Sequence, residues 1–255
     1  MRRDGRKTRE IVLDAALDCF ARQGVMAIGI EEIRRHAKAS PSSIYHHFGG
    51  IEGVMLGLLE RTFERLFTHL GERVVPAVTA EEAVRSLVDG HLAWVLDHRV
   101  EARVMYQAMA LELSPAVAVP LAKRKAELLL PVVARFGHFI ERGELPAWSP
   151  LVFDVVLLGA THEACRRFLA GAELDPRWMR TTLPALAWAQ IATAASSKKP
   201  PPTQGTASSH AAPAAAIGDV ASTPARAAKR AAQTSRTPRG KKEAGGRRAA
   251  RGGVA

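Results

Sequence analysis

The side chains best suited to chemistry are gathered in one stretch, GIEEIRRHAKASPSSIYHHF, which spans residues 29–48. Its second half places serine hydroxyls at the start of a short segment, and a tyrosine and two histidines follow them. These groups donate hydrogen bonds to phosphate oxygens and to base edges, and small hydroxyl side chains approach either without steric cost. The chemistry indicated is recognition of a nucleic acid.

Two short helices joined by a tight turn would position these groups. Glu31 to Ala37 has helical spacing, Lys38 lies in the connection, and Ser40 with Pro41 supplies an N-cap and a proline at the first helical position. This is the geometry of a helix-turn-helix unit, whose second helix enters the major groove. The N–H groups at the start of that helix add a phosphate site.

The segments TREIVLDAALDCFARQG and IEEIRRHAKASPSSIYHHFGGIEGVMLGLLER together resemble the DNA-binding domain of the TetR family over about 60 contiguous residues. The resemblance implies a transcriptional regulator that binds double-stranded DNA at a palindromic operator as a homodimer, a repressor released by a small-molecule effector. Carried over by position, the expected DNA-binding residues are Ser40, Pro41, Ser42, Ser43, Tyr45, His46, His47, Lys38 and Thr8.

Two positions depart from the pattern that the family implies. Lys38 stands at the turn position that usually holds glycine, so it must adopt or avoid a left-handed conformation at some cost. Ile51 replaces the lysine common at the start of the fourth helix, so one phosphate contact is expected to be missing.

Residues typical of helix starts and helix ends recur along the first 195 residues, and alternating runs of β-branched residues are nearly absent. This pattern predicts an all-α fold. The first helix is expected at roughly 7–23 and a long linking helix at about 51–70, while Pro120, Pro131 and Pro184 are expected to kink or interrupt helices. Predicted helix starts are Ser40-Pro41, Ser114-Pro115, Ser149-Pro150, Asp175-Pro176 and the capping box of Thr79 with Glu82; Gly24 and Gly143 are predicted stops.

Three regions are predicted. Residues 1–50 form a three-helix helix-turn-helix domain, completed by the linking helix to about residue 66, and residues 51–195 form a helical dimerisation and effector-binding bundle. Residues 196–255 contain 16 Ala and 6 Pro and no aromatic residue, too little apolar surface to offset chain entropy, so a disordered basic tail is expected.

The bundle is expected to hold the effector and the dimer interface, but no motif identifies the ligand. Segments 151–169 and 178–191 are the expected dimer helices, with Gly159, Ala160 and Ala164 permitting close approach. Candidate pocket residues are His91, Trp94, His98, Met105, Tyr106, Met109, Phe136 and Phe139, although Met and aromatic residues at helical spacing are also typical of a core.

The tail carries most of the charge. From Ser196 onward there are 12 Lys and Arg against Asp219 and Glu243, while the chain as a whole has a formal net charge of +11. Pro238 to Lys241 resembles half of an AT-hook; a solvated polycation that contacts phosphates is the alternative. This leaves open a second function, a nucleoid-associated architectural DNA binder. The candidate tail contacts are Arg236, Arg239, Lys241, Lys242, Arg247 and Arg248.

Enzyme and metal chemistry find little support. His162 and Glu163 match the start of H-E-x-x-H, but Arg166 occupies the second ligand position, and Cys19 and Cys165 fall on apolar helix faces. No catalytic residue, metal or cofactor is predicted. A charged N-terminus and the lack of a long apolar run lead us to expect a cytoplasmic, nucleoid-associated protein with no membrane partner.

Overall fold

The computed structural model describes residues 2–196, and that part of the chain is all-helical, as predicted. The tail, with its candidate DNA contacts from Arg236 to Arg248, lies outside the described residues. None of the described helices is long and apolar enough to cross a membrane. The helices are α1 (Arg2–Gln23), α2 (Ile30–Ala37), α3 (Pro41–Phe48), α4 (Ile51–Val74), α5 (Ala80–Asp97), α6 (Arg99–Met109), α7 (Pro115–Glu141), α8 (Pro150–Phe153), a π-helical turn (Asp154–Leu158), α9 (Gly159–Leu169) and α10 (Pro176–Ser196).

The predicted helix starts are confirmed, since α3, α7, α8 and α10 each begin at the proline. Ser40 Oγ accepts a hydrogen bond from the Ser43 N–H at 3.1 Å, and Thr79 Oγ1 accepts one from the Glu82 N–H at 3.1 Å. Ser114 differs, because its buried hydroxyl has no hydrogen-bond partner.

Several boundaries differ from expectation. α1 begins at Arg2 rather than near Lys7, because nothing in the basic N-terminal segment except Gly5 disfavours a helix. α7 continues through Pro120 and Pro131, and α10 through Pro184, because packing on neighbouring helices outweighs the loss of single backbone hydrogen bonds. The π-helical turn carries no sequence signal that we identified.

A single buried core runs from the N-terminal helices into the bundle. Leu13 and Phe20 of α1 meet Ile33 of α2 and Ile44 of α3, and Leu58 of α4 joins them. Further along, α4 packs against α5 and α7, and α5 packs against α10. The boundary near residue 50 stays a prediction, because α4 belongs to both halves of this core.

The start of α4 lies unusually close to the end of α3. A Cβ built on Gly53 would lie 1.8 Å from the Phe48 carbonyl oxygen, far inside van der Waals contact, so only glycine fits there. Gly49 and Gly50 take positive φ angles of 72° and 155° in the connection. This close approach fixes the direction in which α3 leaves α4.

Lys38 adopts the left-handed conformation, with φ 52° and ψ 34°. It is the sole non-glycine residue with positive φ among those described. Its N–H and that of Ala39 bond to carbonyls at the end of α2, which closes the turn. A side chain in this conformation is strained by about 1–2 kcal/mol relative to glycine.

We expect Lys38→Gly to raise the free energy of unfolding by about 0.5–1 kcal/mol, because relief of the strain exceeds the added entropy of the unfolded chain. The matched control is Lys123→Gly on an exposed face of α7, which should lose about 1 kcal/mol. Urea unfolding followed by circular dichroism measures both. Equal destabilisation by the two substitutions would contradict the left-handed turn.

Candidate DNA-binding surface and effector cavity

One face of α3 is open to solvent. Pro41, Ser42, Tyr45 and His46 are exposed, whereas Ile44 is buried against the other head helices. Their spacing of one, three and one residues places the four on a single side of the helix. This face can approach the edges of bases in a major groove.

The remaining predicted DNA-binding residues support that face. Ser40 caps α3 with its hydroxyl oxygen, and Ser43, half-buried, donates its backbone N–H to that cap. Lys38 is exposed at the turn before α3, where its ammonium group is free to reach solvent or phosphate. Ser42, Tyr45 and His46 thus lie exposed on one face of α3, whereas Ser40 caps the helix.

The N-terminal end of α1 lies beside the C-terminal end of α3. A Cβ built on Gly5 would lie 3.5 Å from the Cε1 atom of His47, whose ring also meets Phe48 edge-on. Arg6 and Lys7 are exposed next to this contact, and Thr8 is half-buried. Arg6 and Lys7 were not among the predicted DNA-binding residues, although the basic run from Met1 to Lys7 was a sequence signal for a phosphate contact there.

A buried guanidinium ties the head to α4. Arg61 is 8% exposed, and its Nη1 atom lies 2.8 Å from Asp14 and 3.0 Å from Glu10, both on α1. Four residues later, Arg65 Nη1 donates to the buried Glu101 carboxylate of α6 at 2.6 Å. α4 is therefore held by charge to α1 on one side and to α6 on the other.

A cavity of about 270 Å³ lies in the bundle between α4, α5, α6 and the helix that follows Ser149. Four of the predicted pocket residues, His91, Met105, Tyr106 and Met109, line it. The α4 residues that line the cavity were not predicted, because the apolar stripe of α4 has the same pattern as a helix face buried in a core. The other lining residues are Phe63, Leu66, Phe67, Leu70, Leu87, Ala110, Asp154, Val155, Leu158, Gly159, His162 and Arg166.

Four predicted pocket residues lie elsewhere. Trp94 is buried in the core with the His98 ring at 5.2 Å, and His98 itself is exposed near Glu101. Phe136 lines a smaller neighbouring cavity of about 120 Å³, and Phe139 is buried beneath the Arg135 guanidinium. The physical reason is that α5 is buried on several faces and α7 along one long stripe, and helical spacing does not say which buried positions meet the cavity.

Polar side chains form a chain along the cavity wall. The Tyr106 hydroxyl lies 2.8 Å from His91 Nε2 and 2.8 Å from His162 Nδ1, and His162 Nε2 lies 3.5 Å from Asp154 Oδ1. The Tyr106 hydroxyl therefore bridges the two imidazole rings, and the His162 ring continues the chain to the Asp154 carboxyl group.

Burial governs the protonation of this chain. Desolvation, reinforced by the neighbouring His162, holds the pKa of His91 well below its usual value, so the imidazole stays neutral. Desolvation likewise raises the pKa of Tyr106 well above its usual value, and that of the adjacent Cys165 thiol to about 12. Neither group ionises near neutral pH. Among the described residues, no cluster of three or more His, Cys, Asp or Glu could hold a metal ion.

Comparison with known proteins agrees with this geometry. The family model described as "Bacterial regulatory proteins, tetR family" matches residues 12–58, which cover the second half of α1, all of α2 and α3, and the first two turns of α4. The chain is 30% identical over 80 residues to the HTH-type transcriptional regulator BetI of Rhizobium meliloti (31% of this chain, 39% of that protein). It is 29% identical over 94 residues to the HTH-type transcriptional repressor NicS of Pseudomonas putida (37% of this chain, 42% of that protein).

The likeness to these curated relatives spans about two fifths of their length. The structural similarity to solved proteins covers more of the chain than the sequence similarity does. A crystal structure of the transcriptional regulator FadR from Bacillus subtilis in complex with stearoyl-CoA superposes with a TM-score of 0.59 at 16% identity, over 71% of this chain and 98% of that one. These are regulators and not enzymes. The helix-turn-helix head of this chain thus matches the model of the TetR family, and its helical bundle shares the fold of solved TetR-family regulators.

Proposed function

We propose that this protein is a repressor that binds a palindromic DNA operator as a homodimer and leaves it when a small molecule enters the cavity. The observation that carries the proposal is the open face of α3 beside the exposed basic start of α1. Ser42, Tyr45 and His46 would contact bases and backbone, while Arg6, Lys7 and Lys38 would contact phosphates. The site of action would be the cytoplasm, at the nucleoid.

A dimer interface is supported by apolar side chains left open on neighbouring helices. Leu151 and Val155 are 45% and 55% exposed, and Trp178 and Leu186 of α10 are 47% and 49% exposed. The small residues Gly159 and Ala160 are exposed beside them, which permits close helix approach. A two-fold dimer would place two α3 helices on successive turns of DNA.

The effect of ligand binding on DNA release would be transmitted through α4. Its residues Phe63, Leu66, Phe67 and Leu70 form one wall of the cavity, and its first turn supports α3. A ligand that pushes α4 or α6 would change the spacing of the two recognition helices. It can shift that equilibrium only by the difference between its affinities for the two spacings.

The second candidate function is an architectural DNA binder acting through the tail. The charge distribution favours considering it, because 12 of the 36 Lys and Arg residues lie from Ser196 onward. Residues 1–195 then serve as a dimerisation body. Counterion release by a polycation would give affinity without sequence preference.

Selection of genomic fragments with purified protein, full-length and truncated after Ala195, separates the two functions. We expect both forms to enrich one palindromic site, with the truncated form weaker and less sensitive to salt, because each lost phosphate contact removes about one unit of salt slope. Binding without sequence preference that vanishes on truncation would contradict the repressor and support the architectural function.

Ser42→Glu should reduce operator affinity by roughly tenfold or more, because it places a carboxylate on the face that meets DNA. The second position of a helix favours an acidic side chain, so folding should be unharmed. Ala116→Glu is the control, an exposed second position in α7. Fluorescence anisotropy with a labelled operator measures both. Unchanged affinity of the Ser42 variant would refute this placement of the recognition face.

Light scattering coupled to size-exclusion chromatography should give twice the chain mass of 27.5 kDa at micromolar concentration. Leu186→Glu should shift the protein toward monomer, because it buries a charge in the proposed interface. Val119→Glu places the same charge at a side chain that is 68% exposed on α7, and the dimer should persist. A wild-type monomer would contradict the proposed interface.

A further inference from the structure

We infer that the ligand of the 270 Å³ cavity is a small molecule with one or two rings that carries a protonated amine, and that Asp154 binds the ammonium group. The inference rests on the proposed function for its regulatory meaning, but the binding site itself is read from the cavity. It names a chemical class and a polar anchor that the family assignment leaves open.

The size and walls of the cavity define the body of the ligand. An apolar cavity of about 150 Å³ holds one benzene ring, so 270 Å³ has room for roughly two rings. Phe63 and Phe67 stack with centroids 5.5 Å apart, and Leu66 and Met109 complete the apolar lining. Rings and short aliphatic groups suit such walls.

Charge defines the polar end. Asp154 is 4% exposed and lines both the main cavity and the smaller one beside it. The other charged group on the wall is Arg166, which is already paired with Glu163 at 2.6 Å on the exposed side. His91 is kept neutral by burial. Asp154 is therefore the one acidic side chain among the residues that line the cavity, and a cation is the ligand charge that complements it.

The hydrogen bonds point the same way. The side chains of His91, Tyr106 and His162 are bonded to one another in a chain that ends on Asp154. The carboxylate has about four acceptor positions, and in the chain it takes one bond, at 3.5 Å, so a ligand ammonium has positions to fill.

The local backbone explains how Asp154 comes to face the cavity. It begins the π-helical turn Asp154–Leu158, which adds a residue to the helix between Phe153 and Gly159. Such turns change the angle at which side chains leave a helix and occur often at functional sites. Val155 in the same turn lines the cavity and is 55% exposed, so the turn forms part of its rim.

A matched series of probes tests the charge preference on the wild-type, full-length protein. The three probes share one naphthalene body: 1-naphthylmethylamine, 1-naphthalenemethanol and 1-naphthoic acid. Isothermal titration calorimetry at pH 7 should give the amine about tenfold tighter binding than the alcohol, and no measurable binding of the acid. Binding of the acid as tight as or tighter than that of the amine would overturn the proposal.

Variants then locate the anchor. Asp154→Asn should weaken the amine at least tenfold while leaving the alcohol within about threefold, which also shows that the cavity is intact. Asp154→Glu should retain the preference for the amine, and Asp97→Asn, exposed at the end of α5, should behave as wild type. An unchanged amine affinity in Asp154→Asn overturns the assignment, and the wild-type series stands independently of how these variants fold.

A separate arm distinguishes this inference from the proposed function. The amine is added to the complex of the protein with its selected operator, and anisotropy is followed. Amine binding that depends on Asp154 without loss of DNA supports the ligand class and contradicts the effector role. Operator binding that is intact in a protein that does not bind the amine overturns the ligand class and leaves the repressor standing.

Discussion

Arg61 joins α4 to the head through a guanidinium that is 8% exposed and is paired with two carboxylates on α1 that reach solvent. Its guanidinium bonds Asp14 and Glu10 through Nη1, while its buried Nε and Nη2 have no partner. A buried cation that loses its carboxylates is costly, of order 3–5 kcal/mol, although exposure of Asp14 and Glu10 reduces that figure here through solvent screening. A shift of α1 relative to α4 that separated Arg61 from Asp14 and Glu10 would therefore be unfavourable.

The rest of the structure follows from the position of α4. In the first turn of α4, the Phe48 carbonyl oxygen lies so close to Gly53 that any side chain at position 53 would clash with it. We therefore expect α3 to move together with α4. Ten residues after Gly53, Phe63 begins the cavity wall, and Arg65 holds the buried Glu101 of α6. Because packed cores rearrange between discrete arrangements rather than deform continuously, a change at the cavity has a direct mechanical route to the recognition helix.

The parts that local chemistry determines could be predicted from the sequence. Serine or aspartate before proline marked the helix starts, and the serine, tyrosine and histidine pattern marked α3. The absence of glycine at Lys38 predicted a cost but left open whether the residue would adopt the left-handed conformation, which the structure shows it does. The cavity could not be predicted in the same way, because Phe63 and Phe67 on α4 have the spacing of core residues, and Trp94 and Phe139, with the same spacing, are core. The residues that line the cavity differ from core residues only in where the helices pack: α4 lies against α6, and the π-helical turn supplies another part of the cavity wall.

Asp154 shows why a buried polar chain is informative about function. A carboxylate that is 4% exposed and bonded in this chain only at 3.5 Å is poorly compensated for its lost hydration. Apolar replacement would stabilise such a site unless something else supplies the missing contacts. A ligand that supplies them stabilises the arrangement to which it binds, by an amount that grows with its concentration relative to its dissociation constant. If that arrangement has the DNA-incompatible spacing, the same deficit that weakens the unliganded bundle becomes the driving force for release.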